Sequence, residues 1–282
     1  MEVIEKIGLM QELAEKWRRD GDIIALVPTM GFLHLGHIEL LRVGSEKGDR
    51  LIMSLFVNPT QFGPREDYGG YPRDTEGDLN KAESAGVDAV FMPTVEEMYP
   101  EDFQSTVKVE GVTRYLCGRS RPGHFAGVTT VVAKLFHIIR PHVAIFGEKD
   151  YQQLVVIRQM VRDLNMGIDI IGVPTVRERD GLAMSSRNSY LSPEERSSAI
   201  SLKKGLDLGR AMAAEGERHP TKIKSAIREL ILSHPFTEID YISICDPGTL
   251  TDVEVIDRPC LVALAVKVGK TRLIDNTMVR EN

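Results

Sequence analysis

The sequence predicts an α/β fold: a parallel sheet covered by helices on both faces, followed by a smaller α+β lobe. Three observations carry this reading. Through roughly the first 175 residues, short and continuously apolar runs alternate with helix-length amphipathic stretches, the pattern of strands buried on both faces. After about residue 176 the order changes to two helical stretches followed by three strand-like runs, as in a separate α+β unit. A chain of 282 residues also has length enough for two medium domains with substantial cores. The expected domains are therefore 1–175 and 176–282.

The elements follow in order. Met1 to Trp17 mixes Glu2, Glu5, Glu12 and Glu15 with Lys6 and Lys16 and reads as an acidic amphipathic helix, with Trp17 and the Leu9–Leu13 face as ordinary core. Ile23-Ile24-Ala25-Leu26-Val27 predicts a strand over 23–28. Leu35, Ile38, Leu41 and Arg42 then stand at helical spacing, giving a helix over 35–47. Further strands are expected at 51–57, 88–92, 105–109, 143–147 and 168–173, with helices at 74–85, 127–139 and 150–163. In the second lobe, helices at 193–214 and 221–233 meet at a turn over 214–220 and precede strands near 237–244, 260–267 and 271–275. The last two strands can form a hairpin across Val268-Gly269-Lys270. Arg177 to Arg187 would bridge the lobes, a common place for a ligand cleft.

Composition narrows the function classes. Lys and Arg total 35 against 41 Asp and Glu, for a net charge of −6. No basic stripe is present, which argues against a nucleic-acid surface. Cys117, Cys245 and Cys260 are too few and too scattered for a disulfide frame or a zinc site. A reducing cytoplasm is the natural setting. The N-terminus is unlike a signal peptide, and no apolar run approaches the ~18–20 residues that a bilayer span requires.

Parallel sheets place ligands beyond the carboxyl ends of their strands, and three motifs sit at such ends: Pro28 to His37, Asn58 to Phe62, and Phe146 to Asp150. The most informative is His34-Leu35-Gly36-His37, where a strand gives way to a helix. Gly36 has no Cβ to keep a nucleotide off the backbone. Helix-start N–H groups and the helix dipole favour phosphate. Two histidines three apart share the face of the first turn and can donate to phosphoryl oxygens. Phe146-Gly147-Glu148-Lys149-Asp150 offers close backbone approach at Gly147 and a mobile charge on Lys149. Asp150 either caps the next helix or holds a phosphate-bound magnesium at one remove. Met184-Ser185-Ser186-Arg187 supplies hydroxyls and a guanidinium suited to triphosphate oxygens, and Gly181 a hinge. The plainer alternatives are that His34 and His37 are surface or capping histidines, that Ser185 or Ser186 starts a turn beside a solvated Arg187, and that Lys149 is simply exposed. Cys117 has no activating base nearby in sequence.

His34-Leu35-Gly36-His37 with Met184-Ser185-Ser186-Arg187 resembles the two signature segments of the HIGH-type nucleotidylyltransferase superfamily. Three more motifs narrow this: Asn58-Pro59-Thr60-Gln61-Phe62-Gly63-Pro64, Arg121-Pro122-Gly123-His124-Phe125-Ala126-Gly127-Val128, and Gly147-Glu148-Lys149-Asp150-Tyr151-Gln152-Gln153. Together, and in this order, they resemble the pantoate–β-alanine ligase (pantothenate synthetase) family, densely over residues 23 to 191 and more loosely beyond. Gly69-Gly70 before Tyr71, and His142 at a strand start where an acid is expected, depart from the pattern without touching a motif.

The resemblance implies a Rossmann-like first domain that binds nucleotide and pantoate, a smaller C-terminal lobe, magnesium, and a cytoplasmic homodimer. Phosphate donors on the glycine-containing connection Arg177 to Arg187 lead to the expectation that the C-terminal lobe closes over the ATP site. It implies ATP-dependent condensation of (R)-pantoate with β-alanine through pantoyl adenylate, releasing diphosphate and AMP. It assigns ATP contacts to Met30, Gly31, Phe32, Leu33, His34, Leu35, Gly36, His37, Gly147, Glu148, Lys149, Asp150, Val176, Met184, Ser185, Ser186 and Arg187. His34, His37, Lys149 and Arg187 carry the chemistry, with His37 as proton donor. Gln61 and Gln153 match the pantoate-binding glutamines, and Gln61 also the β-alanine contact; the direct magnesium ligands are unknown. Without the motifs, Gln61 would read as part of an exposed turn and Gln153 as a solvated helix position. Asn58, Tyr71, Arg121 and His124 are softer candidates for the acid site or amine entry, and His124 reads equally as structural. Two rivals remain: a nucleotidylyltransferase acting on a phosphorylated substrate, and a non-catalytic nucleotide-binding protein.

Overall fold

The continuously apolar runs do become the strands of a parallel sheet. In this computed structural model, residues 1–64 and 66–279 are described. The first part runs β1 (Glu2–Ile4), α1 (Ile7–Asp20), β2 (Ile24–Thr29), α2 (Leu35–Ser45), β3 (Arg50–Leu55), α3 (Thr75–Ser84), β4 (Ala89–Phe91) and α4 (Val95–Met98). It continues with α5 (Leu116–Ser120), α6 (His124–Ile139), β5 (Val143–Gly147), α7 (Tyr151–Asp163) and β6 (Asp169–Val173). The remainder is α8 (Pro193–Ala199), α9 (Ser201–Ala214), α10 (Pro220–Leu232), β7 (Thr237–Cys245), β8 (Cys260–Val268) and β9 (Thr271–Val279).

Among the described residues, the first sheet has six parallel strands in the order β1-β4-β3-β2-β5-β6. The chain moves outward from β2 in one direction and then from β5 in the other. The β2/β5 boundary is therefore the topological switch point, where such sheets hold ligands. Val27, Leu41, Leu51, Met53, Val90 and Ile145 form part of the core on this sheet. The second sheet is antiparallel, β7-β8-β9, with α9 and α10 over it. Its core includes Leu206, Ile223, Ile227, Val262 and Leu264. The α/β sheet with an α+β lobe is as expected. By packing, one unit comprises 1–109, 121–148 and 153–174, and the other 110–120, 149–152 and 175–282.

Several elements differ from the sequence reading. Before the first helix, Glu2–Ile4 adds to the sheet edge, pairing with Ala89–Phe91; three residues are too short to leave a periodic signal. The stripe of α1 that is buried is Met10, Ala14 and Trp17, while Leu9 is 57% exposed, so the helix faces one position round from the Leu9–Leu13 expectation. Residues 105–109 are not a strand. The Val107 N–H donates to Thr130 Oγ1 and its carbonyl accepts from Thr129 Oγ1, so α6 side chains take the place of a strand partner. The helix expected over 193–214 breaks at Ile200 into α8 and α9. The last strand extends to Val279 because β8 pairs along its full length, Cys260 opposite Val279. His142 is explained: its Nδ1 accepts the Ile24 N–H at 2.9 Å, the service an acid would perform at that strand start. Among the described residues no helix is long and apolar enough to cross a membrane.

Candidate active site

At the end of β2 the chain turns sharply through Gly31 (φ +85°) and Phe32 (φ +52°). The second is a left-handed conformation that a bulky residue holds only when its surroundings enforce it. The Phe32 and Leu33 N–H groups both donate to the Asp78 carboxylate, at 2.7 and 2.6 Å. His34 then caps α2: its Nδ1 accepts the Gly36 N–H at 3.1 Å, and His37 Nδ1 accepts the His34 N–H at 3.3 Å. The two rings lie 4.1 Å apart, centroid to centroid. A ring nitrogen that accepts a hydrogen bond carries no proton, so the network assigns both neutral rings as Nε2–H donors. Capping and donating are thus divided between the two nitrogens of each ring. Leu35, expected on the core face, is 66% exposed; Leu41 and Gly44 are the buried positions.

Next to this loop, a helical turn after β3 carries Gln61 (Pro59–Gln61). Gln61 Nε2 donates to Met30 Sδ at 3.2 Å, and its Oε1 accepts from Asn58 Nδ2 at 3.0 Å. Asn58 is buried and also donates to the Gly127 carbonyl and accepts from Tyr99. Burial pushes the Tyr99 phenol above its ordinary pKa against the opposing Thr60 hydrogen bond, which keeps it a donor. His124, at the start of α6, accepts from Arg121 Nη1 at 3.0 Å, so its Nδ1–H donates to the Gln61 carbonyl at 2.8 Å. Arg121 forks onto Glu66 at 2.6 and 2.7 Å. Burial opposes the Glu66 charge, yet Arg121 and the Gly63 N–H overcome it and hold the carboxyl at about 2. His124 and Arg121 therefore place Gln61 through its backbone.

Gly147 closes β5, the strand beside β2, and Glu148 opens the helical turn that follows, Glu148–Asp150. Gln153 is half-buried on α7. Its neighbour Gln152 is buried and donates to the carbonyls of Val112 and Tyr115; its Oε1 is buried without a partner. Adjacent in sequence, the two glutamines have separate environments, which no motif reveals.

In the second unit, Val176 and Met184 meet through the Met184 N–H to Val176 carbonyl bond. Arg177 and Ala183 bridge as a small hairpin whose turn contains Gly181 at φ +92°. Gly181 is thus a turn residue of this hairpin. Arg177 forks onto buried Asp275 at 2.7 and 2.9 Å, while Arg196 holds Glu178 and Asp180. Ser185 Oγ accepts the Arg187 N–H, so it does start a turn, and Ser186 is buried. Asn276, next to Asp275, donates to the Lys149 carbonyl at 3.0 Å. The sequence reading missed Asp275 and Asn276: one β9 dipeptide secures both Lys149 and the hairpin that leads to Ser185. Cys117 is buried beside the Tyr241 hydroxyl and Arg272.

Among the described residues no three His, Cys, Asp or Glu side chains gather as a metal cage. A cavity of about 220 Å³ lies beyond the ends of β2, β3 and β4, bordered by Met30, Gly31, Val57, Arg73 and Asp78.

A doubly wound parallel sheet with a histidine-capped helix starting at its switch point has the architecture of α/β enzymes that handle nucleotides. The chain belongs to the pantoate-beta-alanine ligase family, whose model it matches over residues 2–278. It is 56% identical to a pantothenate synthetase of Desulfatibacillum aliphaticivorans, over 99% of both chains. Among solved structures it resembles pantothenate synthetase from Thermus thermophilus, with 44% identity, TM-score 0.93, and 98% and 99% of the two chains covered. It also resembles a Francisella tularensis pantoate-beta-alanine ligase complexed with beta-gamma ATP and beta-alanine, with 31% identity, TM-score 0.84, and 100% and 99% coverage.

Proposed function

We propose that this chain condenses (R)-pantoate with β-alanine in two steps driven by ATP. The pantoate carboxylate attacks the α-phosphorus, forming pantoyl adenylate and releasing diphosphate. The β-alanine amine then attacks the activated carbonyl, giving pantothenate and AMP. The observation that carries this reading is at His34 and His37: each Nδ1 accepts a backbone N–H, which leaves Nε2 of each neutral ring as its N–H donor. In-line displacement on a triphosphate asks the protein mainly for positioning and charge stabilisation, and preset donors supply both.

ATP contacts are proposed for Met30 to His37, Gly147 to Asp150, Val176, and Met184 to Arg187. Because Asp78 already takes the Phe32 and Leu33 N–H groups, those two residues contribute loop shape and side chain rather than amide donors. His37 strengthens its hydrogen bond as charge builds on departing diphosphate. Lys149 and Arg187 neutralise phosphate charge, and Ser185 and Ser186 stand beside Arg187. Gln61 and Gln153 bind pantoate, and Gln61 also meets β-alanine. The Gln61 amide N–H rests on a thioether, a weak acceptor that a carboxylate or hydroxyl oxygen displaces readily. A neutral amide leaves the carboxylate more nucleophilic than an arginine fork would. Magnesium, bound with ATP, neutralises phosphate charge, and Asp150 is the residue proposed to hold it at one remove. A homodimer in the cytoplasm completes the proposal.

Purified protein incubated with ATP, magnesium and (R)-pantoate should release diphosphate, and should turn over to AMP only when β-alanine is added. Bound ATP with no diphosphate under either condition would overturn the reading in favour of a non-catalytic nucleotide binder. Activity that requires a phosphorylated substrate would favour a simple nucleotidylyltransferase.

A further inference from the structure

We infer that Asp78 is a positioning residue for the first step of the reaction, acting through the turn that delivers His34 and His37. The inference rests on the proposed ligase activity. Asp78 sits on α3, 45 residues from the loop it serves, and its side chain is 2% exposed. Both its oxygens are committed: Oδ2 accepts the Phe32 N–H at 2.7 Å and Oδ1 the Leu33 N–H at 2.6 Å. Lys81 Nζ stands 3.9 Å from Oδ1.

Two consecutive amides can aim at one carboxylate only because the backbone before them is left-handed at Gly31 and Phe32. Successive N–H groups of this kind form an anion-binding concavity, and here the anion is the protein's own. The carboxylate thereby offsets the strain at Phe32. A Cβ on Gly31 would lie 2.9 Å from Asp78 Oδ2, so glycine and aspartate are fitted to each other. One residue past Leu33, His34 begins the cap that orients both imidazoles. Asp78 thus fixes the direction in which the chain enters α2. Its effect should fall on the step in which diphosphate leaves, and spare the step in which an amine attacks an acyl adenylate.

The test is Asp78→Asn in the full-length chain, which keeps the shape but turns an NH2 toward one of the two amides. Diphosphate release is measured with ATP, magnesium and pantoate. In parallel, pantothenate formation is measured from synthetic pantoyl adenylate and β-alanine. The ratio of the first rate to the second should fall about a hundredfold, the cost of misplacing a donor by roughly 1 Å. Equal loss in both steps, as a general loss of folded protein would give, overturns the inference, and so does no loss in either. Should the variant not fold, wild-type hydrogen exchange decides: the Phe32 and Leu33 amides must exchange slowly although they lie outside helix and sheet, and fast exchange overturns the inference. Absence of pantoate-dependent diphosphate release from wild type would instead count against the ligase reading, and leaves the exchange test intact.

Discussion

At Gly127 an added Cβ would fall 2.3 Å from the Thr60 carbonyl oxygen and 2.6 Å from the Gln61 nitrogen. These are backbone atoms, unable to swing aside. Gly127→Ala should therefore cost about 1–3 kcal/mol, as overpacking does, read as a lower urea midpoint. It should also raise the KM for pantoate, because the atoms displaced are those that carry Gln61. His37→Ala should slow diphosphate release by about 10²–10³, or roughly 3–4 kcal/mol, the usual loss for one preset donor; a stopped-flow diphosphate assay would read it. At this scale the motifs were legible and their division of labour was not. Gly127 and His124 both stand in a recognisable run, but only the folded chain shows that one makes room for the 59–61 turn and the other hydrogen-bonds its last carbonyl. The His124 contact crosses 63 residues, and a polar pairing at such a separation leaves no periodic trace.

Elements were easiest to read where one face or both is buried over several residues. β2, β3 and β5 are mostly apolar and buried along their length, and lie within two residues of their expected positions. Strand β1 and the extended segment at 105–109 were misread, because their partners decide their state: a sheet edge claims the first, and threonines of α6 claim the second. Strand β9 illustrates what an element adds to a site. Its buried Asp275 holds Arg177, and removing one partner of a buried ion pair leaves the other uncompensated. Asp275→Ala should cost about 3–5 kcal/mol in chemical denaturation, and should weaken ATP binding more than pantoate binding. The link from Glu66 to Arg121 makes a prediction in pH. Its folded pKa, about 2, lies below the ordinary carboxylate value near 4.3, so the unfolded chain binds the proton first as pH falls. The stabilisation is complete above the ordinary value and is lost as pH drops through about 2. Wild type should therefore exceed Glu66→Gln in stability at neutral pH, with the gap closing over that acid window.

For the whole molecule, the prediction concerns metal. The proposed reaction takes magnesium up with ATP, so the ion should matter to catalysis and not to folding. Chelation with EDTA should abolish diphosphate release and leave the thermal melting curve of the nucleotide-free protein unchanged; a lowered melting temperature would show a structural ion. The chain by itself determined the class of architecture, the alternation of its longer strands and helices, and the motifs at the strand ends. Each of these depends on local periodicity, or on residue types that only a few conformations tolerate. Tertiary structure decided which polar groups serve each other: Asp78 under the turn before His34, His124 behind Gln61, Asn276 on Lys149. A buried donor takes whatever acceptor the packed elements bring within about 3 Å, and that meeting is arranged by the sheet and helices rather than by sequence neighbours.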